Sequence, residues 1–243
     1  MNTRAIGVAE FVALTLLAAW VGFVPRALAG ENAKDRTEQT EASKSESKTY
    51  RQVTWAFDKA KPGPVAAWKV AETAGKGKPA VWEVVADPSA PSQPNALAIT
   101  ANQNTGQTFN LLITENFRFQ DLEISVMVKA IAGKEDQGGG PVWRYKDANN
   151  YYLARWNPLE ENLRAYYVKD GKRAQLGSAD VKVDRTKWHR VGVKHVGKKI
   201  EVSLDNKKMI EVEDATFAEP GMIGLWVKAD GQSAFDDLDV VTQ

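Results

Sequence analysis

The alternation of apolar and polar residues in short stretches constrains the fold of this chain most. Every second residue is apolar between residues 122 and 129 and again between residues 200 and 204. Successive side chains of a β-strand point to opposite faces, so this alternation predicts strands with one buried face. Residues 169–172 and 204–207 carry the signals of hairpin turns. Residues 138–141, Gly-Gly-Gly-Pro, require unusual backbone angles or a close backbone approach.

The number and spacing of such strands indicate the fold class. No apolar run has the period and length of a helix, and the short strands recur at nearly regular intervals. This pattern predicts an all-β sandwich or barrel. A domain of about 190 residues is large for an immunoglobulin-type fold and a comfortable size for a jelly roll. We expect this domain to span residues 51–243.

The N-terminal residues predict export. Residues 1–29 contain an early basic residue, an almost continuous apolar run over residues 11–24, and an Ala-Leu-Ala end that fits signal peptidase. A retained membrane anchor is the alternative, but an anchor needs about 20 apolar residues and this run is shorter. We therefore expect cleavage after Ala29, a periplasmic or secreted location in a bacterium, and no membrane span in the mature chain.

Residues 30–50 separate the export signal from the domain. They are rich in Glu, Lys, Ser and Thr, and residues 30–48 contain no large apolar residue. Such a stretch cannot bury enough surface to offset the entropy of ordering it. The sequence therefore predicts a flexible polar linker.

The composition excludes several kinds of site and partner. The chain has no cysteine, so it has no disulfide, iron–sulfur cluster or cysteine nucleophile. Its two histidines, His189 and His195, are too few for a three-histidine metal site. With 32 Lys and Arg against 31 Asp and Glu, the chain has no electrostatic attraction for nucleic acid. It also lacks a P-loop and a Rossmann fingerprint, so we expect no organic cofactor.

Aromatic and guanidinium groups are concentrated between residues 143 and 167. Sugar C–H faces pack on aromatic rings, and sugar hydroxyls accept hydrogen bonds from Arg and Asn. We therefore expect a polar groove edged by aromatic rings on neighbouring strands. The alternative is that the aromatic side chains belong to the core and that the arginines are exposed or ion-paired. The candidate ligand-binding residues are Arg144, Arg155, Trp156, Asn162, Arg164 and Tyr166.

Acidic residues give two further candidates. Residues 235–239 place carboxylates beside turn carbonyls, and such oxygen donors suit Ca²⁺, although a charged strand end is the alternative. The chain lacks the E-x-D-x-x-E strand motif, which argues against ordinary retaining hydrolysis of glycosides. Glu123, on the polar face of a separate strand, is the candidate general base of an enzyme.

Several blocks of the sequence resemble one bacterial exported family. The densest match is residues 142–152, Val-Trp-Arg-Tyr-Lys-Asp-Ala-Asn-Asn-Tyr-Tyr. The others are residues 55–58, 64–70, 76–85, 91–95, 133–139, 220–230 and 235–237. The chain resembles the concanavalin A-like lectin/glucanase superfamily, in its laminin-G-like and 3-keto-disaccharide hydrolase-like branches. Members of these branches are often labelled family-16 glycoside hydrolases.

The resemblance implies a fold and a metal. The implied fold is a two-sheet antiparallel jelly-roll β-sandwich whose concave sheet faces carbohydrate. The implied metal is a structural Ca²⁺ near the last strand and the start of the domain, with Asp237 and Asp58 as ligands.

Three functions follow as hypotheses. The first is an exported lectin-like protein that binds an oligo- or polysaccharide on its concave sheet, with the arginines and Asn162 as donors and Trp156 or Tyr166 stacking on the sugar. The second is an enzyme of the 3-keto-disaccharide hydrolase or lyase type, in which Glu123 removes a proton acidified by the ketone. The third is a non-catalytic envelope domain that the linker presents to another protein.

Overall fold

The computed structural model describes residues 51–242. The predicted export signal (1–29) and the predicted linker (30–50) lie outside the described residues. No helix within residues 51–242 is long and apolar enough to span a membrane.

The described residues form sixteen β-strands. In chain order they are β1 (Gln52–Trp55), β2 (Gly63–Pro64), β3 (Trp68–Thr73), β4 (Val81–Ala86), β5 (Asn95–Ala101), β6 (Phe109–Thr114), β7 (Leu122–Ala132), β8 (Gly140–Asp147), β9 (Asn150–Asn157), β10 (Asn162–Lys169), β11 (Lys172–Asp180), β12 (His189–Val196), β13 (Lys199–Leu204), β14 (Lys207–Glu213), β15 (Met222–Lys228) and β16 (Gln232–Thr242).

The strands form two antiparallel sheets that pack face to face. Sheet A has the order β14-β13-β12-β7-β16-β5-β4-β2, with β1 also paired to β16. Sheet B has the order β11-β10-β9-β8-β15-β6-β3. The predicted all-β, two-sheet sandwich is therefore confirmed.

The alternation in the sequence places one face of each strand in the core. In β7, Leu122, Ile124, Val126 and Val128 are buried between the sheets, while the intervening side chains are partly exposed on the outer face of sheet A. The predicted hairpin at 169–172 joins β10 to β11, and the one at 204–207 joins β13 to β14. Their central residues have positive φ, as such tight turns require.

One polar contact lies inside the core between the sheets. The indole Nε1 of Trp143 donates a hydrogen bond to His195 Nδ1 at 2.8 Å, and the imidazole lies edge-on to the ring of Tyr152. Burial, assisted by the nearby charge of Arg144, lowers the pKa of His195 to about 4. The imidazole is therefore neutral at physiological pH, and its contacts are with side chains of the core.

The glycine run before β8 allows a close backbone approach. Gly138 and Gly139 have φ of 78° and 158°. The main chain of Gly139 exchanges two hydrogen bonds with the main chain of Trp156, each of 3.0 Å. A Cβ on Gly138 would lie only 2.2 Å from the carbonyl oxygen of Trp156. The run thus holds the segment containing Asp136 against the end of β9.

Replacing Gly138 by alanine should destabilise the fold by at least about 2 kcal/mol, because the new Cβ meets a carbonyl oxygen and its φ is strained. Gly106→Ala is the matched control, since Gly106 has a similar φ of 63° but open space around a Cβ. The control should cost only about 1 kcal/mol. Equilibrium urea unfolding measures the free energy of unfolding of both variants. Equal losses would show that the strained φ, and not the contact with the Trp156 carbonyl, determines the cost.

Candidate functional site

The face of sheet B that points away from sheet A is mostly buried. Along β9, Tyr152, Ala154 and Trp156 point into the core between the sheets, whereas Tyr151 and Leu153 point outward. The outward side chains nevertheless form a second apolar core. Its members are Phe109, Leu111, Ile113, Val142, Tyr145, Tyr151, Leu153, Tyr166, Val168 and Trp226.

Sheet B buries this face by rolling over itself. Thr73 on β3 lies within 2.8 Å of the hydroxyl of Tyr151 on β9, four strands away in the sheet. The guanidinium carbon of Arg173 on β11 lies 5.1 Å from the ring centre of Phe109 on β6, five strands away. In a flat sheet, strands five places apart would be separated by about 24 Å. The roll therefore closes over the apolar part of this face and replaces the open concave groove expected from the sequence.

A buried ion pair begins the polar part of the same face. Arg155 Nη1 lies 3.1 Å from Asp136 Oδ1, and both side chains are 1% exposed. The carboxylate of Asp136 also accepts hydrogen bonds from Asn157 Nδ2 at 3.1 Å and from Lys228 Nζ at 3.2 Å. Burial raises the pKa of Asp136 against the opposing charges of Arg155 and Lys228. Asp136 is thus fixed by three donors from β9 and β15.

Glu160 links this ion pair to the surface. Its Oε2 accepts from Arg155 Nη2 and from Arg164 Nη1, each at 2.8 Å, and from Asn162 Nδ2 at 3.1 Å. Partial burial acts to raise the pKa of Glu160, but the hydrogen bond from Asn162 and the two guanidinium charges outweigh it and lower the pKa overall. The side chains of Glu160 and Arg164 are 40% and 31% exposed, so solvent reaches the cluster here.

Arg173 joins the polar part of the face to the apolar part. Its guanidinium lies over the ring of Tyr166 at 4.4 Å and beside the rings of Phe109 and Trp226. Burial lowers the pKa of Arg173, and the charge of Arg155 contributes in the same direction. We call Asp136, Arg155, Glu160, Asn162, Arg164 and Arg173 the polar cluster.

Three buried atoms of the polar cluster have no hydrogen-bond partner within residues 51–242. They are Arg155 Nε, Arg173 Nη1 and Asn162 Oδ1. Arg155 and Asn162 are 1% and 3% exposed, respectively. A buried polar atom without a partner costs about 1–3 kcal/mol. Two donors and one acceptor on a single face are therefore available to a ligand or to water.

Four of the six predicted ligand-binding residues lie together on this face. Arg155, Asn162 and Arg164 belong to the polar cluster, and Tyr166 adjoins it as a hydrogen-bond partner that raises the pKa of Arg164. The ring of Tyr166, however, is only 4% exposed and carries the guanidinium of Arg173. The expectation that Tyr166 stacks on a sugar is therefore wrong in this structure.

The other two predicted residues lie elsewhere. Trp156 is fully buried between the sheets, with its ring 4.8 Å from that of His189, so it cannot stack on a ligand. Arg144 has a φ of 45° and is 2% exposed. Its guanidinium donates to the carbonyls of Gln120, Phe217 and Gly197, and it pairs with Asp121. Its place is thus structural, where four segments of chain meet.

Glu123, the candidate base, lies on the opposite side of the molecule. It points outward from sheet A and forms an ion pair with Lys194, and both side chains are 45% exposed. The two residues line a shallow depression of about 350 Å³ on that sheet. The structure therefore separates Glu123 from the polar cluster by the full thickness of the sandwich.

The expected calcium ligands lie at the start of the domain and in the last strand. The main-chain N–H of Ser92 donates to Asp236 Oδ2 at 2.8 Å, and the Ser92 hydroxyl oxygen lies within 3.1 Å of both Asp236 carboxylate oxygens and of Asp237 Oδ1, to one of which it donates its single proton. Burial and the neighbouring Asp237 raise the pKa of Asp236 to about 7. Asp58 contributes its carbonyl, which accepts from Asn95 at 3.3 Å. Within residues 51–242, no group of three or more acidic or histidine side chains is placed to hold a metal.

Sequence reasoning missed Asp136, Glu160, Lys228 and Arg173. The face of Arg173 could have been predicted from the hairpin at 169–172. The register of this hairpin pairs Arg173 with Val168, which lies on the same face of the sheet as Tyr166. No pattern in the sequence predicts the position of Asp136, since its approach to Arg155 depends on the glycine run and on contacts distant in the sequence.

Comparisons with known proteins support the fold. No protein-family model and no curated protein matches the sequence. Solved structures do match at low identity. A carbohydrate-binding module, CBM66 from Bacillus subtilis, aligns with a TM-score of 0.56 at 17% identity, over 71% of this chain and 94% of that one. The family GH16 endo-β-1,3(4)-glucanase SCLam aligns with a TM-score of 0.56 at 12% identity, over 79% and 91% of the two chains.

The cellulose-induced protein Cip1 aligns with a TM-score of 0.57 at 11% identity, over 77% of this chain and 95% of that one. These similarities agree with the two-sheet topology and with the predicted fold class. The described domain is a two-sheet jelly-roll β-sandwich, the fold that these solved structures share.

Proposed function

We propose that the protein is an exported carbohydrate-binding module and that glycans bind at the polar cluster of sheet B. The observation that carries this proposal is the set of unpartnered polar atoms on Arg155, Arg173 and Asn162. Sugar hydroxyls donate and accept hydrogen bonds, so one saccharide can satisfy donors and acceptors together. The similarity in fold to CBM66 and to a GH16 glucanase supports a carbohydrate ligand.

The exposed side of the cluster gives the ligand its route. Arg164 and Glu160 border the solvent, while Arg155 and Asn162 lie behind them. A saccharide entering from β10 and β11 first meets Arg164 and then reaches the buried atoms. Because Asp136 and Glu160 already fix both ends of the Arg155 guanidinium, binding costs little ordering of that side chain.

Replacing Arg164 by alanine should weaken glycan binding by at least about tenfold, because a charge-assisted donor at the entrance is lost. The melting temperature of the Arg164→Ala variant should change little, since the contacts of Arg164 are partly exposed to solvent. Glu123→Gln, which changes an exposed ion-paired side chain on the opposite sheet, is the control and should bind normally. Glycan-array binding followed by calorimetry measures both variants.

Two results would overturn this placement. Loss of binding in Glu123→Gln with full binding in Arg164→Ala would move the site to sheet A. A protein that binds no glycan of a broad array would favour the third hypothesis, an accessory domain that binds another protein.

A glycoside-active enzyme is the second candidate function. Its specific observation is that Asp136 and Glu160 hold the same guanidinium while their pKa values shift in opposite directions. Carboxyl pairs with displaced pKa values are typical of acid–base sites. Mass spectrometry of the same glycans, with 3-keto-disaccharides added, separates the two functions, because only an enzyme forms products. If the protein is such an enzyme, Glu160→Gln should abolish product formation, whereas Glu123→Gln should not.

We propose that calcium binds beside Asp237 and stabilises the fold. The supporting observation is that the carboxylates of Asp236 and Asp237 and the carbonyl of Ala56 all lie within hydrogen-bond distance of the Ser92 hydroxyl, which is an oxygen-rich setting. Calcium would compete there with Arg190, whose Nη2 lies 3.7 Å from Asp237 Oδ2. Calcium should raise the melting temperature of the wild-type protein relative to EDTA, and Asp237→Asn should remove the rise. Equal melting temperatures with calcium and with EDTA would contradict the proposal.

The export part of the proposal rests on residues 1–29. Expressed in a bacterium with its own N-terminus, the protein should accumulate outside the cytoplasm and begin at Gly30. N-terminal sequencing of the fractionated protein measures this. Recovery of a chain that still begins at Met1 in the membrane fraction would indicate the retained anchor.

A further inference from the structure

Arg173 is a guanidinium without a carboxylate partner. Among residues 51–242 its contacts are the rings of Tyr166, Phe109 and Trp226, and its Nη1 is buried with no hydrogen-bond partner. Cation–π contacts return part of the cost of burying a charge, but they leave the N–H donors unused. The buried Nη1 of Arg173 is therefore available to an acceptor from a ligand.

The neighbouring cations outnumber the carboxylates of the cluster. Arg155, Arg164 and Lys228 lie on the same face as Arg173. Burial and the charge of Arg155 lower the pKa of Arg173, while the charges of Asp136 and Glu160 raise it. Asp136 accepts hydrogen bonds from three residues, and Glu160 from three. The carboxylates of the cluster thus form their direct contacts with other residues than Arg173.

The free atoms can bind both kinds of group that a sugar acid carries. Arg155 Nε and Arg173 Nη1 are N–H donors of charged guanidinium groups, which bind a carboxylate more strongly than a neutral acceptor. Asn162 Oδ1 is an acceptor, so it requires a donor such as a hydroxyl. Asn162 pairs with Asp180 and Arg173 pairs with Val168, at opposite ends of the β10–β11 pair, so the two residues would contact different sugars of one oligosaccharide. Uronic acids supply both the carboxylate and the hydroxyls.

We propose that the glycan bound at the polar cluster is acidic and that its carboxylate binds between Arg155 and Arg173. This inference rests on the proposed carbohydrate-binding function and assigns its ligand class. Arg173 confers the preference for the acid, while Arg164 contacts any saccharide at the entrance.

The test compares each acidic oligosaccharide with its own methyl ester, which has the same sugars without the charge. Oligomers of galacturonate, glucuronate and mannuronate are the probes, measured by calorimetry with the full chain. At least one acid should bind at least about tenfold more tightly than its ester, since a charge-assisted bidentate contact is lost. The difference should shrink as salt is added.

Arg173→Gln should weaken binding of the acid much more than binding of the ester, so that the ratio of acid to ester affinity falls to near one. Lys172→Gln is the matched control, because it removes the same charge from the adjacent, exposed position of β11. The control should keep the wild-type ratio. If Arg173→Gln does not fold, the acid and ester comparison on the wild-type protein still decides the proposal.

The possible failures are distinguishable. Neutral glycans or esters that bind as tightly as the acids, with loss in Arg164→Ala, would overturn the acidic ligand and keep the proposed function. Absence of all saccharide binding would overturn both. A sulfated neutral oligosaccharide that binds as tightly as the best uronate would overturn the assignment of a carboxylate. An unchanged ratio in Arg173→Gln would show that Arg173 is only a structural side chain.

Discussion

Sheet B buries apolar side chains on both of its faces, and this two-sided burial decides where polar chemistry is possible. One face packs against sheet A, and the other packs against itself because the sheet rolls until Thr73 reaches Tyr151. The twist between neighbouring strands accumulates across a sheet and gives it such a coiled shape. A face that closes over its apolar part leaves polar groups only where the roll opens. The polar cluster lies at that opening.

The ion pair between Arg155 and Asp136 gives this opening a fixed geometry. Removing two charges from water costs several kcal/mol per ion, so such a pair is weak evidence of stability. The ion pair instead fixes the position of the Arg155 guanidinium. Asp136 and Glu160 bind its Nη1 and Nη2 and leave Nε without a partner. Binding groups held by surrounding contacts are preorganised for a ligand. The glycine run at 138–140 fixes the main chain after Asp136 as well, because Gly139 forms two main-chain hydrogen bonds with Trp156.

The sequence predicted the strands and half of the site, for reasons that the structure makes clear. Alternation fixes which residues of one strand share a face, so Asn162, Arg164 and Tyr166 were correctly grouped. The same rule excludes Trp156 from the face of Arg155, because adjacent residues of a strand point in opposite directions. Arg144 could not be placed by alternation, since the pairing of β8 is irregular at this point and its φ is positive.

The apolar surroundings of Arg173 depend on a contact across the roll. Arg173 meets Phe109 only because β11 and β6 approach each other, although five strand positions separate them. No local pattern encodes that approach, which results from the combined twist of seven strands and from the filling of the second core. The burial of Tyr166 has the same origin. Its aromatic ring, which we expected to stack on a sugar, therefore packs against the guanidinium of Arg173 instead.

Two carboxylates of similar exposure show why charge density alone does not identify the site. Glu123 and Glu160 are both partly exposed and both ion-paired. Around Glu123 the charged groups of sheet A satisfy one another, and within residues 51–242 no buried polar atom beside it is left without a partner. A ligand there would have to replace solvent-screened ion pairs and would satisfy no unpartnered buried atom in return. Around Glu160 the ligand instead supplies partners that the protein lacks, and satisfying a buried donor recovers its full desolvation cost. The difference in satisfied hydrogen bonds therefore favours sheet B as the binding face.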